Sequence, residues 1–217
     1  MSKTLLIAKN IAHKFDYQLF SNVYLELKEK ESIAIVGRSG SGKSTLLHIF
    51  STFIHPNEGE VKLLNKEIYY LDEESIEKMR RYELGIIFQA HYLFKGMTAL
   101  MNIELATLLS EKEIDNELLE RLEIKELMHQ KIGELSGGQQ QRISIARVLS
   151  KKPKVIFADE PTGNLDKETA KLVMEVLLEY IEKESAAMIL VTHDPEMAEL
   201  CQRSFKLEQK QLKEMRI

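Results

Sequence analysis

Three short stretches of this chain carry residues whose type and order suit chemistry on phosphate esters. The first is Gly37-Arg38-Ser39-Gly40-Ser41-Gly42-Lys43-Ser44-Thr45, set between the apolar run Ile33 to Val36 and a segment of helical periodicity. Glycines at these positions let the backbone curl, so that consecutive N–H groups and a helix N-terminus face anionic oxygens. Lys43 then supplies a point charge to the outer phosphates, and the Ser44 hydroxyl can ligate Mg²⁺. An ordinary Gly/Ser turn would need neither the Lys-Ser pair nor the full spacing, so the stretch reads as a phosphate-binding loop, or P-loop.

The second stretch, Val155-Ile-Phe-Ala-Asp159-Glu160, is an apolar strand that delivers two adjacent carboxylates at its C-terminal end. Ligands of open α/β sheets bind at that end. Asp159 is placed to hold Mg²⁺, directly or through water, and Glu160 to polarise an attacking water as general base. The third stretch is Leu135-Ser136-Gly137-Gly138-Gln139. Ser136 and Gln139 have the spacing of a helix capping box. A cap alone gives no reason for two glycines in the first helical turn, where each costs up to ~1 kcal/mol relative to Ala. Bare backbone at a helix N-terminus instead suggests a second phosphate-binding surface.

The elements that must position these residues follow from periodicity. Val23, Leu25 and Leu27 alternate with Tyr24, Glu26 and Lys28, which predicts a half-buried strand in a β-rich opening segment. Ser32 to Val36, Gly85 to Phe88, Val155 to Ala158 and Met188 to Val191 are continuous apolar runs, as expected of parallel strands covered on both faces. Helical segments are expected at 43–53, 139–150 and 167–184, the last with Leu172, Val173, Val176, Leu177, Tyr180 and Ile181 on one stripe. Alternating βα units predict an α/β fold with a mostly parallel sheet. Between residues 97 and 132 the pattern is helix only, carried by Ile103, Leu105, Leu108 and Leu109 and then Leu118, Leu119, Leu122, Leu127 and Met128. This predicts a helical subdomain, spanning approximately 90–150, inserted in one α/β domain that covers residues 1–217.

Composition narrows the function classes. The 217 residues are 44% hydrophobic and 29% charged, with a formal charge of -4, so no global basic field points to nucleic acid. The longest apolar runs, such as Ala186 to Val191, are far shorter than the ~18 to 20 residues of a membrane span. Lys9 interrupts the opening apolar run before it reaches secretory length, which predicts a cytoplasmic chain. The single Cys201 is expected to be a small packing residue. The mixed charges of Asp72 to Arg81 read as a solvated helix face, and Lys206, Lys210, Lys213 and Arg216 alternate with Glu208 and Glu214 without forming a basic patch.

With these motifs in order, the chain resembles, over essentially its whole length, the nucleotide-binding subunit of ATP-binding cassette (ABC) transporters. Gln89 matches that family's Q-loop glutamine, Leu135 to Gln139 its signature, Asn164-Leu165-Asp166 its D-loop and His193 its switch histidine. Phe15 falls where the family places an aromatic that stacks on adenine, more often a tyrosine. The resemblance implies a P-loop NTPase core with an N-terminal antiparallel β segment and a helical signature subdomain. It further implies ATP hydrolysis with Mg²⁺ held by Ser44, Gln89 and Asp159, and catalysis by Glu160, His193 and Gln89. A head-to-tail homodimer, in which Ser136 to Gln139 closes over the partner's ATP, and transmembrane permease subunits on separate chains are also implied, the latter docking beside Gln89 and residues 97–109 and holding the chain on the inner face of the membrane. Ala158 to Asp166 resembles the group of lipoprotein-releasing, macrolide-exporting, antimicrobial-peptide-exporting and cell-division ATPases. Gln89 to Phe94 with Met97 to Ile103 looks most like the lipoprotein-releasing type. A small-molecule P-loop kinase is a distant alternative, disfavoured by the β-rich segment ahead of the P-loop and by the signature. A DNA-repair or chromosome-organising ATPase would carry a long coiled-coil insertion between the P-loop and Ser136, which this chain lacks.

Overall fold

The computed structural model describes residues 3–215; Arg216, which entered the sequence reading, lies outside them. Five strands form the parallel part of one sheet: β3 (Ser32–Val36), β6 (Leu84–Ile87), β7 (Val155–Asp159), β8 (Ala187–Thr192) and β9 (Arg203–Glu208), in the order β9-β3-β8-β7-β6. A sixth strand, β10 (Gln211–Met215), runs antiparallel on the outer side of β9. The opening segment forms β1 (Thr4–Lys14) and β2 (Gln18–Lys28), which join β4 (Glu58–Leu63) and β5 (Lys66–Glu67) in an antiparallel sheet ordered β2-β1-β4-β5.

Four of the parallel strands, β3, β6, β7 and β8, are largely apolar because both of their faces are covered. Successive side chains point to opposite faces. Ile33, Ile35, Phe157, Ile189 and Val191 pack with Leu6, Phe20 and Leu25 of the antiparallel sheet and with Leu46 and Phe50 of α1 (Lys43–Phe50). Ala34, Ile156, Ala158, Met188 and Leu190 pack on the other side with Ile143 of α5 (Gly137–Leu149) and with Val173 and Leu177 of α6 (Lys167–Lys183). Between β6 and β7 lie α3 (Ala99–Ser110), α4 (Asn116–Arg121) and α5, with no named strand among them, as the apolar pattern predicts. After β8 comes the short helix α7 (Pro195–Glu199).

Several boundaries and faces differ from the sequence expectation. The first helix stops at Phe50 rather than continuing to residue 53, because Thr52 takes the left-handed conformation at φ 76° and turns the chain. The signature helix starts two residues earlier than expected, since Ser136 caps it directly. Leu108 and Leu109 of α3 are 76% and 55% exposed, so they extend an apolar surface rather than the core. The charged helix α2 (Glu73–Tyr82) is mostly solvated, with Glu74–Lys78 and Glu77–Arg81 pairs on its surface. Arg80 departs from that reading: it turns inward, donates to Thr52 Oγ1 at 2.8 Å and lies 4.5 Å over the Phe53 ring. Cys201 is buried among apolar neighbours, and burial pushes its thiol up to about 12.

Gly85 shows how closely β6 is held against α5. A Cβ at this position would lie 2.8 Å from both Pro153 Cγ and Val148 Cγ1, two stiff side chains that would have to shift. Gly85→Ala is therefore expected to destabilise the fold by about 1–3 kcal/mol, the usual cost of overpacking, measured as a lower midpoint in urea with an unchanged m-value.

Candidate active site

The parallel register brings four strand tips to one edge of the sheet. Val36 of β3 pairs with Thr192 of β8, Val191 of β8 with Asp159 of β7, and Ala158 of β7 with Ile87 of β6. The loops that leave these tips carry, in that order across the sheet, the P-loop, His193, the Asp159–Glu160 pair and Gln89. They open on a cavity of about 560 Å³ lined by Ser39, Gly40, Gly42, Lys43, Ser44 and Thr45, by Gln89, Glu160 and His193, and by Phe15 at its rim.

Helix α1 begins at this cavity with no side-chain cap, and its N-cap Gly42 sits at φ 99°, a conformation that L side chains rarely adopt. First-turn N–H groups are thereby left to a ligand, on the end of the helix dipole that favours anions. Lys43 is buried to 8% exposure and its Nζ donates to Gly37 O at 3.0 Å and Arg38 O at 3.2 Å, which aligns the ammonium with the loop. Arg38 is exposed and, like Gly37 and Ser41, does not line the cavity.

Ser44 Oγ donates to Asp159 Oδ1 at 3.1 Å, joining the first turn of α1 to the tip of β7. Burial pushes the Asp159 carboxyl above its ordinary range, opposed by the Ser44 hydrogen bond and by His48 and Lys43. The two oxygens are a hard donor pair, and their separation is close to the ~2.9 Å expected of neighbouring ligands in octahedral Mg²⁺ coordination. No cluster of three His, Cys, Asp or Glu side chains suited to a metal occurs among the described residues. The pair thus suits a cation that takes its remaining ligands from substrate oxygens and water.

Glu160 is one residue beyond β7 and has φ 48°, unusual for a non-glycine residue and common at functional sites. Its peptide N–H donates to Val191 O at 2.9 Å, which fixes this backbone against β8. The carboxylate meets His193 Nδ1 at 2.9 Å through Oε1 and accepts from Thr192 Oγ1 at 3.3 Å through Oε2. Its side chain is 12% exposed, whereas that of His193 is 71% exposed. A shielded carboxylate is thus oriented by two neighbours, one of which reaches into the cavity.

Gln89 begins an irregular segment whose anchoring the sequence reading did not anticipate. Arg147 donates to Tyr92 O at 2.8 Å and His91 O at 3.1 Å, and Ser144 Oγ to His91 O at 3.2 Å. The fully buried Asn102 accepts from Phe94 N at 2.8 Å and donates to Thr98 O at 2.9 Å. Tyr17 and Leu19 were likewise missed as lining residues. Tyr17 is 64% exposed and Phe15 60%, so two aromatics rather than one stand at the rim; their proximity to each other in the sequence was the available signal.

The signature residues Ser136 to Gln139 lie outside this cavity. The capping box does form, with Gln139 N donating to Ser136 Oγ at 3.3 Å and Ser136 N to Gln139 Oε1 at 2.9 Å. Ser136 and Gly137 are nonetheless exposed, and beyond its chain neighbours and its own helix backbone nothing lies within 4 Å of where a Gly137 Cβ would stand. Capping and bare backbone coexist here. In the D-loop, Asp166 caps α6 by accepting from Thr169 N at 3.0 Å, and these bonds hold its carboxyl below the ordinary range.

Comparison with known proteins agrees with this arrangement. The ABC transporter family model matches residues 20–163, from β2 through the Asp159–Glu160 pair. The lipoprotein-releasing system ATP-binding protein LolD of Protochlamydia amoebophila is 39% identical, over 93% of this chain and 91% of that protein. The uncharacterized ABC transporter ATP-binding protein YbbA of Escherichia coli is also 39% identical, over 92% and 90%. Among solved structures, a dimeric post-hydrolysis state of the ATP-binding cassette MJ0796, bound to ADP and Pi, superposes with a TM-score of 0.89 at 33% identity and covers 98% of each chain. A loop built for phosphates, a strand tip with paired carboxylates, and similarity along nearly the whole chain lead to one conclusion: this protein is an ATP-binding member of the ABC transporter family.

Proposed function

We propose that the chain is the ATP-hydrolysing subunit of a lipoprotein-releasing transporter, working as a head-to-tail homodimer on transmembrane permease subunits. The observation that carries the ATPase reading is the Glu160–His193 contact within the cavity that the P-loop also lines. The lipoprotein-releasing assignment draws on the names of relatives at 39–41% identity over 88% or more of the chain.

In this reading the P-loop amides and Lys43 bind the β- and γ-phosphates, and Phe15 with Tyr17 offers aromatic surface to the base. Ser44 and Asp159 would hold Mg²⁺, joined by Gln89; bound there, the ion neutralises phosphate charge. Glu160 accepts the proton of a water that attacks the γ-phosphorus, and the bond to the β–γ bridging oxygen breaks to leave ADP and phosphate. His193 orients that carboxylate and reaches the γ-phosphate side of the cavity. Ser136 to Gln139, away from the chain's own cavity and exposed at Ser136 and Gly137, would close on the ATP held by a second copy. No helix of the described residues is long and apolar enough to cross a membrane. Attachment to the inner membrane face would come through permease subunits that dock beside Gln89 and residues 97–109, and residues 1–217 would form one nucleotide-binding domain with its helical insert at approximately 90–150.

Glu160→Gln is expected to retain ATP binding, to lower hydrolysis by at least ~100-fold as for loss of a general base, and to elute as a dimer in Mg-ATP on a sizing column; a monomer under those conditions contradicts the dimer. Lys43→Ala should weaken nucleotide binding by at least about tenfold, as for loss of a charged hydrogen bond. Phe15→Ala and Tyr17→Ala should each weaken it by about tenfold if both rings contact the base, which fluorescence titration with ATP can separate. Purification of the assembled complex should give a permease bound to the chain, with the chain's ATPase activity rising on added lipoprotein, whereas a cell-division partner would overturn the transporter assignment.

A further inference from the structure

The strand that leads to the aromatic rim of the nucleotide cavity ends with a histidine whose polar atoms are unused. His13 lies in β1, is 6% exposed, and both of its ring nitrogens are buried with no hydrogen-bond partner among the described residues. An imidazole in that setting loses the hydration of its polar atoms and gains no bond in return. What remains for it to contribute is a flat ring.

Phe15 follows two residues later, and the two rings meet edge to face, with centroids 4.9 Å apart and planes at 85°. His13 also meets Phe20 of β2, at 6.3 Å between centroids. Phe20 is fully buried, and a Cβ on Gly42 would stand 3.2 Å from its ring. The histidine is therefore shared between the rim and the packing behind the P-loop. Backbone ties fix the turn that carries the rim: Gln18 Nε2 donates to His13 O at 3.2 Å, Lys14 N to Asn57 Oδ1 at 2.7 Å and Asn57 N to Ala12 O at 2.9 Å. Such ties place the turn but leave the exposed Phe15 side chain free to rotate. Among the described residues His13 is the one ring stacked against Phe15, and none is stacked against Tyr17.

We infer that His13 is a positioning residue for the nucleotide base: its ring holds Phe15 in the orientation on which the base stacks, and does so by shape, with neither nitrogen taking part. The inference rests on the reading that Phe15 meets the base, and adds what prepares that surface. Edge-to-face pairs are favoured by the charge distribution of the rings. A side chain fixed before the ligand arrives loses less rotamer freedom on binding. Phe15 is thus the prepared half of the rim, and Tyr17 the half that the ligand itself must order.

Calorimetric titration of the full chain with ATP and with inorganic tripolyphosphate, both in Mg²⁺, tests the inference. His13→Leu keeps apolar bulk but not the flat ring. It is expected to weaken ATP binding by at least about threefold, the scale of one lost aromatic pair, and to leave tripolyphosphate binding unchanged, because that ligand has no base. His13→Phe restores a ring without nitrogens and should bind ATP within threefold of wild type. In a Phe15→Ala background His13→Leu should have no further effect, since the two residues act through one contact. A smaller effect of His13→Leu, or a His13→Phe chain weakened threefold or more, overturns the inference. Equal loss of ATP and tripolyphosphate binding also overturns it, by placing the effect on the P-loop. Wild-type ATP affinity in Phe15→Ala contradicts the reading that this ring meets the base, a result distinct from a tolerant His13→Leu beside a weakened Phe15→Ala.

Discussion

The site depends on the parallel pairing of β3, β8, β7 and β6 in a sheet whose two faces are both buried. Parallel pairing sends the four C-terminal ends to the same edge, and in-register contacts such as Asp159 with Val191 hold those ends level. Each loop can then contribute one or two groups without any being long. The register is held by packing on both sides: Ile35 and Phe157 belong to one apolar cluster while Ala34 and Ala158 belong to the other. A one-residue slip would exchange those sets and carry Asp159 away from Ser44.

Much of this was legible from the chain because the signals were local. Continuous apolar runs mark doubly covered strands, and the P-loop and the Asp159–Glu160 pair each occupy a few consecutive residues beside such a run. The opening alternation of Val23, Leu25 and Leu27 likewise matched buried positions of β2. Strands with few or no buried residues were not legible. In β4 only Val61 and Leu63 are buried, and β10 has no buried residue, so neither carries a pattern that stands out from a loop. Helix ends shifted for conformational reasons, a left-handed Thr52 in one case and a cap at Ser136 in the other.

What composition hides is local concentration of charge. The chain is acidic in sum, and its two obvious charge-rich segments mix signs. Arg80 and Arg81 nevertheless meet Arg147 and Lys151 because α2 and α5 both border β6, a proximity that no window along the sequence contains. The same distance in sequence explains why the support of the Gln89 segment was missed. Asn102, Ser144 and Arg147 look like ordinary helical residues until the fold places backbone carbonyls in front of them.

The capped end of α5 sorts hydrogen-bonding groups by polarity. Gln139 Oε1 takes the N–H of Ser136, and Ser136 Oγ takes the N–H of Gln139, so each side-chain oxygen already spends one lone pair within the cap itself. The Ser136 O–H, the Gln139 amide NH₂ and the N–H groups of Gly137 and Gly138 take no part in those two bonds, and all of them are donors. The helix end is therefore weighted toward donors: it offers more hydrogens than lone pairs, so it would favour a fully ionised oxyanion over a neutral polar group before any charged side chain took part.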